Sequence, residues 1–443
     1  MDGNATMRGW TMVFRLKKTT LLATSALTAA ALLLTGCGAT SSPEKEGTAA
    51  DPVTIRFAWW GNDARAKATF DVIKAFEAEN PGIKVKGENT EFSSYWDKMA
   101  TQVAGGDTPD VLAMSGSYPS EYSSRGVLLD LDTLKDPIDT SKFAPGTVEL
   151  GQIDGKQYTI TAGVNSMSMV LDPAVFKAAG VELPDDETWT WDEYQDIATK
   201  ITENSPKGTF GTTPMANDSF FAVWARQGGE PLYADDGKQL GISEARVTEW
   251  LQMNLDLQKS GASPGASQVV EDVSAQPEQT LIGQGKQGMK VSWSNQMNSY
   301  SGNELLMVKM PGETPTGGAW LRSSMEYGIS AKSENTAAAA KFVSFLVNSE
   351  EAGKLIKSDR GMPANVDVRA TVLPLLKDNQ KKEAAYLDRI AEMKLTPPLP
   401  FPAGSSATME VLNRNMTDVL FEKTTPAEAA KKFIDEVNLN LAK

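Results

Sequence analysis

The chain has 443 residues and a formal net charge of −14, with one cysteine and no histidine. A single cysteine allows neither an intrachain disulfide nor a thiolate metal site, and the lack of histidine removes the most common general base and transition-metal ligand. A surface this acidic argues against nucleic acid and anionic lipid as partners. The composition therefore favours a binding protein over an enzyme, although paired carboxylates leave catalysis open, and we expect no cofactor and no metal ion.

The cysteine follows an amino-terminal segment with the order of a secretory signal. Basic residues between positions 15 and 18 precede an apolar run over 21–34, and Leu34-Thr35-Gly36-Cys37 comes next. The apolar run is about 14 residues long, whereas a transmembrane helix needs about 20. The four residues resemble the lipobox of bacterial lipoproteins, which implies that 1–36 is a signal peptide and that Cys37 is acylated. The alternative is a transmembrane helix with an incidental thiol.

The remaining 407 residues are too long for one compact core and predict two lobes. Residues 1–36 carry one acidic and four basic side chains, so the chain without them has a net charge of about −17. Residues 37–52 are small and polar and cannot bury a core, so we predict a flexible tether there.

The first ordered part of the chain alternates strands with helices. We predict strands over 53–60, 83–86 and 109–114, with helices over 64–79 and 95–104 between them. This βαβαβ order indicates a parallel sheet with ligand-binding groups at the carboxyl ends of its strands.

Short motifs follow one another along the whole mature chain. They occupy residues 55–61 (IRFAWWG), 76–85 (FEAENPGIKV), 105–111 (GGDTPDV), 155–160 (GKQYTI), 169–180 (MVLDPAVFKAAG), 190–194 (TWDEY), 285–293 (GKQGMKVSW), 338–347 (AAAKFVSFLV) and 360–363 (RGMP). In this order they resemble family 1 extracellular solute-binding proteins, the carbohydrate receptors of ABC importers.

The resemblance implies an α/β fold like that of periplasmic binding proteins, with two α/β lobes, a hinge and a ligand cleft between the lobes. Lobe one would comprise 51–162 plus 310–365, and lobe two 163–309 plus 366–443. The chain would cross between them near 161–165, near 307–311 and within 366–398. Two helices, over 408–421 and 426–441, would end the chain.

Sugar recognition requires aromatic faces for the C–H faces of a pyranose and polar groups for its hydroxyls. In lobe one these requirements select Trp60, Asn62, Asp63, Tyr95, Ser115 and Ser117, which lie close to predicted strand ends. Neighbours on a strand point to opposite faces, so one of Trp59 and Trp60 would face the cleft and the other would pack in the core. Trp60 is our choice for the cleft. Asn62 and Asp63 could instead cap the following helix, and the aromatic pair at 95–96 could pack in the core.

In lobe two and the return segment, the segments around Trp224 and around Trp293 and Asn295 resemble ligand-contacting parts of the family, which makes these residues candidate contacts. Two further candidates are Trp320, which follows a glycine-rich segment, and Arg360, which could donate a bidentate hydrogen bond. Core packing is the alternative for Trp224, and a surface salt bridge is the alternative for Arg360. Trp189 and Trp191 are interpreted as structural, because Thr190 and Glu193 have the spacing of a helix capping box.

The function implied is that of a monomeric, lipid-anchored receptor on the outer face of a bacterial cell membrane. It would capture a di- to tetrasaccharide by closure of the lobes and deliver it to ABC permease subunits. One alternative is a secreted glycosidase or lyase that uses Asp63 with Glu91 or Glu326. Another is a receptor for a non-sugar solute such as a peptide or a glycerol phosphate ester. Arg226, Arg322 and Arg360 also leave room for an acidic sugar.

Overall fold

The structure is a computed structural model that describes residues 47–442, except 215–217, 301–303, 313–317, 394 and 396. The predicted signal peptide, Cys37 and the tether up to residue 46 lie outside the described residues. Residues 47–52, the rest of that tether, form a turn in which Thr48 and Asp51 exchange backbone hydrogen bonds of 3.1 Å.

Eleven strands are present in the described part of the chain. They are β1 (Val53–Trp60), β2 (Ile83–Thr90), β3 (Val111–Met114), β4 (Gln152–Ile153), β5 (Lys156–Gln157), β6 (Thr159–Asn165), β7 (Met167–Leu171), β8 (Met289–Trp293), β9 (Leu306–Val308), β10 (Arg322–Ile329) and β11 (Met362–Pro363). The first three confirm the predicted strands, although β2 continues four residues further than its sequence pattern indicated.

The same residues contain fourteen α-helices. They are α1 (Asp63–Glu79), α2 (Phe92–Ala104), α3 (Tyr118–Ser124), α4 (Pro173–Ala179), α5 (Trp191–Glu203), α6 (Asp218–Gln227), α7 (Glu244–Lys259), α8 (Ala266–Ser274), α9 (Thr336–Asn348), α10 (Glu350–Ile356), α11 (Val366–Val372), α12 (Asp378–Glu392), α13 (Thr408–Leu420) and α14 (Pro426–Leu441). None of these described helices combines the length and the apolar character that a membrane span requires.

Side-chain caps explain where several helices begin. The side chain of Asn62 accepts a hydrogen bond of 3.0 Å from the backbone nitrogen of Arg65, which starts α1. Thr190 and Glu193 form the predicted capping box at the start of α5. Because Asn62 and Thr190 each end an extended segment, these caps also fix the positions at which the chain turns into a helix.

A six-stranded sheet in the order β11-β6-β10-β3-β1-β2 forms the centre of the first lobe. β1 runs parallel to β2 and β3, as predicted, so Trp60 and Met114 end neighbouring strands at the same edge. β10 is antiparallel to β3, with Glu326 opposite Met114. Arg322, four residues before Glu326, therefore begins β10 at the edge where the parallel strands end.

The second lobe contains an antiparallel sheet in the order β8-β7-β9. Met167, at the start of β7, is paired with Trp293 at the end of β8. Only Ser166 separates β6 of the first sheet from β7 of the second, so the chain passes between the lobes within one residue.

The buried apolar side chains form two clusters, one around each sheet. The first draws on residues 53–160 and 325–364, and the second on 164–320 and 362–441. Met310, Ala319 and Trp320 pack in the second cluster. The first cluster resumes at Met325, and the predicted lobe boundary at residue 310 stays a prediction.

Candidate ligand-binding site

Ser166 connects three segments at the passage between the lobes. The hydroxyl of Ser166 donates to the carbonyl of Trp320 at 2.9 Å. The backbone nitrogen of Ser166 donates to the hydroxyl of Ser294 at 3.3 Å, and the carbonyl of Ser166 accepts from the backbone nitrogen of Ser294 at 2.9 Å. The hydroxyl of Tyr386, on α12, donates to the carbonyl of Met167 at 2.6 Å. These bonds hold the ends of β6, β8 and the segment before β10 close to one another.

The carboxyl edge of the first sheet carries a group of aromatic rings, which we call the aromatic wall: Trp60, Phe92, Tyr95, Trp96 and Tyr118. The ring of Trp60 lies 5.6 Å from those of Phe92 and Trp96, and the rings of Trp96 and Tyr118 stack in parallel. Phe92 is 53% exposed and Tyr118 is half-buried. The wall therefore presents apolar faces to solvent where three parallel strands end.

Trp59 and Trp60 point to opposite sides of β1, as the alternation along a strand predicts. Trp59 is fully buried and stacks on Phe57 with a centroid distance of 4.9 Å. Trp60 lies in the aromatic wall but is itself only 7% exposed. In this conformation its ring, backed by Tyr95, supports the more exposed Phe92.

Tyr95 is a buried member of the wall. Its hydroxyl lies 2.9 Å from the carbonyl of Ala113 and 3.2 Å from that of Ala58, and it shares its single hydrogen between these two acceptors on β3 and β1. Burial raises the pKa of the Tyr95 hydroxyl well above its ordinary value. The structure thus gives Tyr95 a supporting position behind the rings that face solvent.

Asn62 and Asp63 are both exposed at the start of α1, next to the end of β1. Asn62 acts as the helix cap, which was the alternative role predicted for it, while Asp63 occupies the first turn. Capping uses only the Oδ1 atom of Asn62, so its amide nitrogen can still donate to a ligand at the sheet edge.

The loop after β3 contains the half-buried Ser115, the exposed Gly116 and the buried Ser117. Gly116 has a φ of +66°, which an L-residue adopts only with strain. A Cβ atom added there would lie 3.8 Å from Nη2 of Arg322. This loop therefore passes directly beside the first residue of β10.

Arg322 brings together parts of the chain that are far apart in sequence. Its Nη1 donates to the hydroxyl of Ser219 on α6, and its guanidinium carbon lies 5.2 Å from the ring centroid of Trp293 and 5.0 Å from that of Phe401. We call Arg322, Ser219, Trp293 and Phe401 the arginine cluster. Together with the Gly116 loop, it extends from the first lobe to the second.

Two tryptophans predicted as ligand contacts are covered by arginines. Arg246 lies 3.5 Å from the ring centroid of Trp224, whose indole nitrogen donates to the carbonyl of Arg246 at 3.1 Å. Arg226 lies 5.0 Å from the ring centroid of Trp320. Both tryptophans are buried in the second cluster, so in this conformation they pack within the second lobe.

Arg360 is also buried, and it donates to the hydroxyls of Tyr327 and Thr69 within the first lobe. Its neighbour Asp359 instead pairs with Arg65 at 2.7 Å.

Asn295 is half-buried in the 3₁₀ turn Ser294–Ser299, directly after Trp293. Asn295 therefore lies close in sequence to Trp293 of the arginine cluster, whereas Arg360 is not part of that cluster.

The carboxylates considered for hydrolysis differ in their exposure to solvent and in their position in the fold. Asp63 and Glu91 are exposed at helix starts, while Glu326 is buried in the middle of β10 and accepts a hydrogen bond of 2.5 Å from Thr159. Burial raises the pKa of Glu326 to about 7. Hydrogen bonds from Thr159 and Ser323 and the positive charge of Arg322 lower this pKa, but their effect is smaller than that of burial.

Among the described residues, no three His, Cys, Asp or Glu side chains are grouped to hold a metal ion.

Sequence reasoning did not select four of the side chains that this site contains: Phe92, Tyr118, Ser219 and Phe401. Phe92 and Tyr118 each follow the end of a strand within a few residues, which is a signal available in the sequence. Ser219 and Phe401 carry no such signal, because their positions depend on how α6 and the proline-rich loop pack against Arg322.

Comparisons with known proteins agree with this architecture. The profile of the family described as bacterial extracellular solute-binding protein matches residues 60–353. The diacetylchitobiose binding protein of Streptomyces coelicolor is 24% identical over 443 residues, covering 96% of this chain and 99% of the relative. The galactooligosaccharide-binding protein of Bacillus subtilis is 22% identical over 350 residues, covering 76% and 78%.

Among solved structures, a family 1 extracellular solute-binding protein from Alicyclobacillus acidocaldarius is 27% identical with a TM-score of 0.69, covering 88% of this chain and 99% of that one. The share of the chain that is covered is large enough to include both sheets and both hydrophobic clusters. The fold is therefore the two-lobed α/β fold of periplasmic binding proteins, and the chain belongs to the bacterial extracellular solute-binding protein family.

Proposed function

We propose that this chain is a lipid-anchored receptor that captures an oligosaccharide outside the cell and delivers it to the permease of an ABC importer. The observation that carries the proposal is the position of the aromatic wall and the arginine cluster. The aromatic wall lies at the carboxyl edge of the first sheet, and the arginine cluster extends from Arg322 at that edge to the second lobe, next to the passage between the lobes. Ligands of open α/β sheets bind at this edge.

The side chains at this edge have the chemistry that saccharides require. Phe92, Tyr118 and Trp293 offer aromatic faces that are at least partly open to solvent, and such faces cover the C–H surface of a pyranose. Polar groups for its hydroxyls come from Asn62, Asp63, Ser115, Ser117, Asn295 and Arg322. Trp60, Tyr95, Trp224, Trp320 and Arg360 serve as supports behind these contacts in the conformation described.

The number of open rings favours a di- to tetrasaccharide over a monosaccharide. Phe92 and Tyr118 belong to the first lobe, whereas Trp293 belongs to the second, so a ligand that covers all three must span the cleft. The relatives that bind diacetylchitobiose and galactooligosaccharides support a ligand of this class.

Closure of the lobes follows from the same arrangement. We take lobe one as 51–162 with 322–365 and lobe two as 167–320 with 366–443, joined where Ser166 connects their sheets. A ligand that contacts both lobes favours the closed state by its higher affinity for that state. The permease would then recognise the closed shape.

Anchoring rests on the lipobox-like residues that end at Cys37. One acyl chain gives only marginal membrane binding, so stable retention requires more than one chain on the modified residue. Replacing Cys37 with Ala should release the protein from the membrane fraction without changing its affinity for saccharides. A lower affinity in this variant would place the anchor segment in the binding site, against the proposal.

The binding function is tested by calorimetry of the purified full chain in detergent against a panel of neutral and acidic di- to tetrasaccharides, with tryptophan fluorescence recorded in parallel. We expect a dissociation constant well below about 1 mM for at least one saccharide. Binding should also change the fluorescence, because Trp60 and Trp293 lie at the site.

Phe92 offers a variant with a matched control. Phe92→Ala removes an exposed ring from the aromatic wall, whereas Phe421→Ala removes a ring of similar exposure, 41%, from the end of α13. We expect Phe92→Ala alone to weaken binding, by about tenfold, the value of one stacked ring. Failure of the whole panel to bind, or equal effects of the two variants, would overturn the proposed site.

A further inference from the structure

Arg322 differs from most arginines that the structure describes in having no acidic partner. Seven of these arginines pair with a carboxylate within 4.0 Å: Arg56, Arg65, Arg125, Arg246, Arg369, Arg389 and Arg414. Arg322 forms no such pair with any described residue, and neither does Arg360, which is buried within the first lobe against Tyr327 and Thr69. Guanidinium groups that leave bulk water normally have an acidic partner, because an uncompensated charge there is costly.

The groups around Arg322 leave most of its hydrogen-bonding capacity available. Its described contacts are the hydroxyl of Ser219 and the rings of Trp293 and Phe401. None of the three carries a formal charge, and only the hydroxyl accepts a hydrogen bond. A guanidinium has five N–H donors in a fixed plane, and the described hydrogen bond to Ser219 uses one of them.

One acidic group whose pKa the charge of Arg322 influences lies in the same strand. Glu326 lies four residues further along β10, and its carboxyl group is bonded to Thr159 on β6. Because burial raises the pKa of Glu326 to about 7, this group carries only part of a negative charge at neutral pH. Glu326 therefore compensates the charge of Arg322 incompletely.

Arg322 also has the position of a ligand contact. It begins β10 at the carboxyl edge of the first sheet, beside the Gly116 loop. A Cβ atom at Gly116 would lie 3.8 Å from Nη2, an ordinary van der Waals distance, so this loop lies directly beside the guanidinium without crowding it.

We infer that Arg322 pairs with a carboxylate of the ligand, so that the captured saccharide contains a uronic acid. This inference rests on the proposed function and names the ligand class for the same site. A carboxylate accepts two parallel hydrogen bonds from a guanidinium, whereas a neutral hydroxyl cannot reproduce that bidentate geometry. The rings of Trp293 and Phe401 hold the guanidinium plane in place and exclude water from its faces.

The experiment compares matched ligands that differ in the carboxylate. Calorimetry of the full chain in detergent at pH 7.5 uses digalacturonate against galactobiose, trigalacturonate against galactotriose, and cellobiouronic acid against cellobiose. The variants are Arg322→Gln, Arg322→Lys and the control Arg125→Gln, since Arg125 pairs with Glu121 on the surface of the first lobe. Thermal unfolding of each variant verifies that it is folded.

We expect the acidic member of at least one pair to bind tenfold or more tightly than its neutral counterpart. Arg322→Gln should reduce this ratio towards one, Arg322→Lys should give an intermediate ratio because it retains charge without the fork, and Arg125→Gln should leave the ratio unchanged. If neutral members bind as tightly as acidic ones, or if the preference survives in Arg322→Gln, the inference fails while the proposed function stands. If no saccharide of either kind binds, the proposed function itself fails.

Discussion

Glu326 provides a prediction about the stability of the first lobe that can be tested without knowing the ligand. Its carboxyl group is buried in the six-stranded sheet, opposite Thr161 on one side and Met114 on the other. Burial raises its pKa from 4.5 to about 7. Glu326→Gln keeps a side chain of the same shape that can still accept from Thr159, but removes the ionisation.

The sign and size of the effect depend on proton linkage. Below pH 4.5 the carboxyl group is protonated in both the folded and the unfolded chain, so it has no pH-dependent effect on stability. Between pH 4.5 and about 7 the unfolded chain loses this proton while the folded chain retains it, so the free energy of unfolding falls as pH rises. A shift of this size corresponds to about 3 kcal/mol, at about 1.4 kcal/mol for each pKa unit.

The assay is urea denaturation followed by circular dichroism, at several pH values from 4.5 to 8. The free energy of unfolding of Glu326→Gln, relative to the unmodified chain, should rise by up to about 3 kcal/mol across this range. Glu121→Gln removes a surface carboxylate from the same lobe and should not reproduce the rise. A relative stability of Glu326→Gln that stays constant or falls with pH would refute the reasoning.

Three further substitutions test other parts of the structure. Trp293→Ala should weaken saccharide binding about tenfold in calorimetry by removing a stacking face, and an unchanged affinity would exclude this ring from the site. Gly163→Ala should lower the free energy of unfolding by about 1–3 kcal/mol, because its Cβ atom would lie 2.6 Å from the carbonyl oxygen of Arg360. An unchanged midpoint of thermal unfolding would contradict this close approach. Thr190→Ala should lower the free energy of unfolding by about 1 kcal/mol because it removes the capping box with Glu193, whereas Thr190→Ser keeps the capping hydroxyl and should not. Equal midpoints of thermal unfolding for the two variants would argue against the cap.

Local patterns predicted the elements of this fold well. The alternation in β1 and the apolar face of α1 are readable within a few residues, and so is the capping box of α5. The boundary of α2 was less accurate, since the helix begins at Phe92 and not at Tyr95. That shift matters, because it places an exposed ring in the first turn of the helix, at the sheet edge.

The ligand-contact predictions depended on information that local patterns do not contain. Trp224 and Trp320 have sequence contexts suited to a binding loop or cleft helix, yet Arg246 and Arg226 cover their rings. A pattern shows that a ring follows a helix face or a glycine-rich segment, but not which distant side chain will cover it. For the same reason, Phe401 could not be connected with Arg322 before the two were seen together.

The topology explains why Arg322 contacts both lobes. In a sheet of parallel strands, side chains at the carboxyl edge come from the last residues of strands and the loops after them. β10 runs the opposite way, so its first residue reaches that edge, and this residue comes shortly after Trp320 of the second cluster. Arg322 therefore lies beside the loop after β3 on one side and contacts Ser219 and Trp293 on the other. A ligand bound to Arg322 would therefore meet both lobes through a single residue, so the same contact can select the ligand and favour closure.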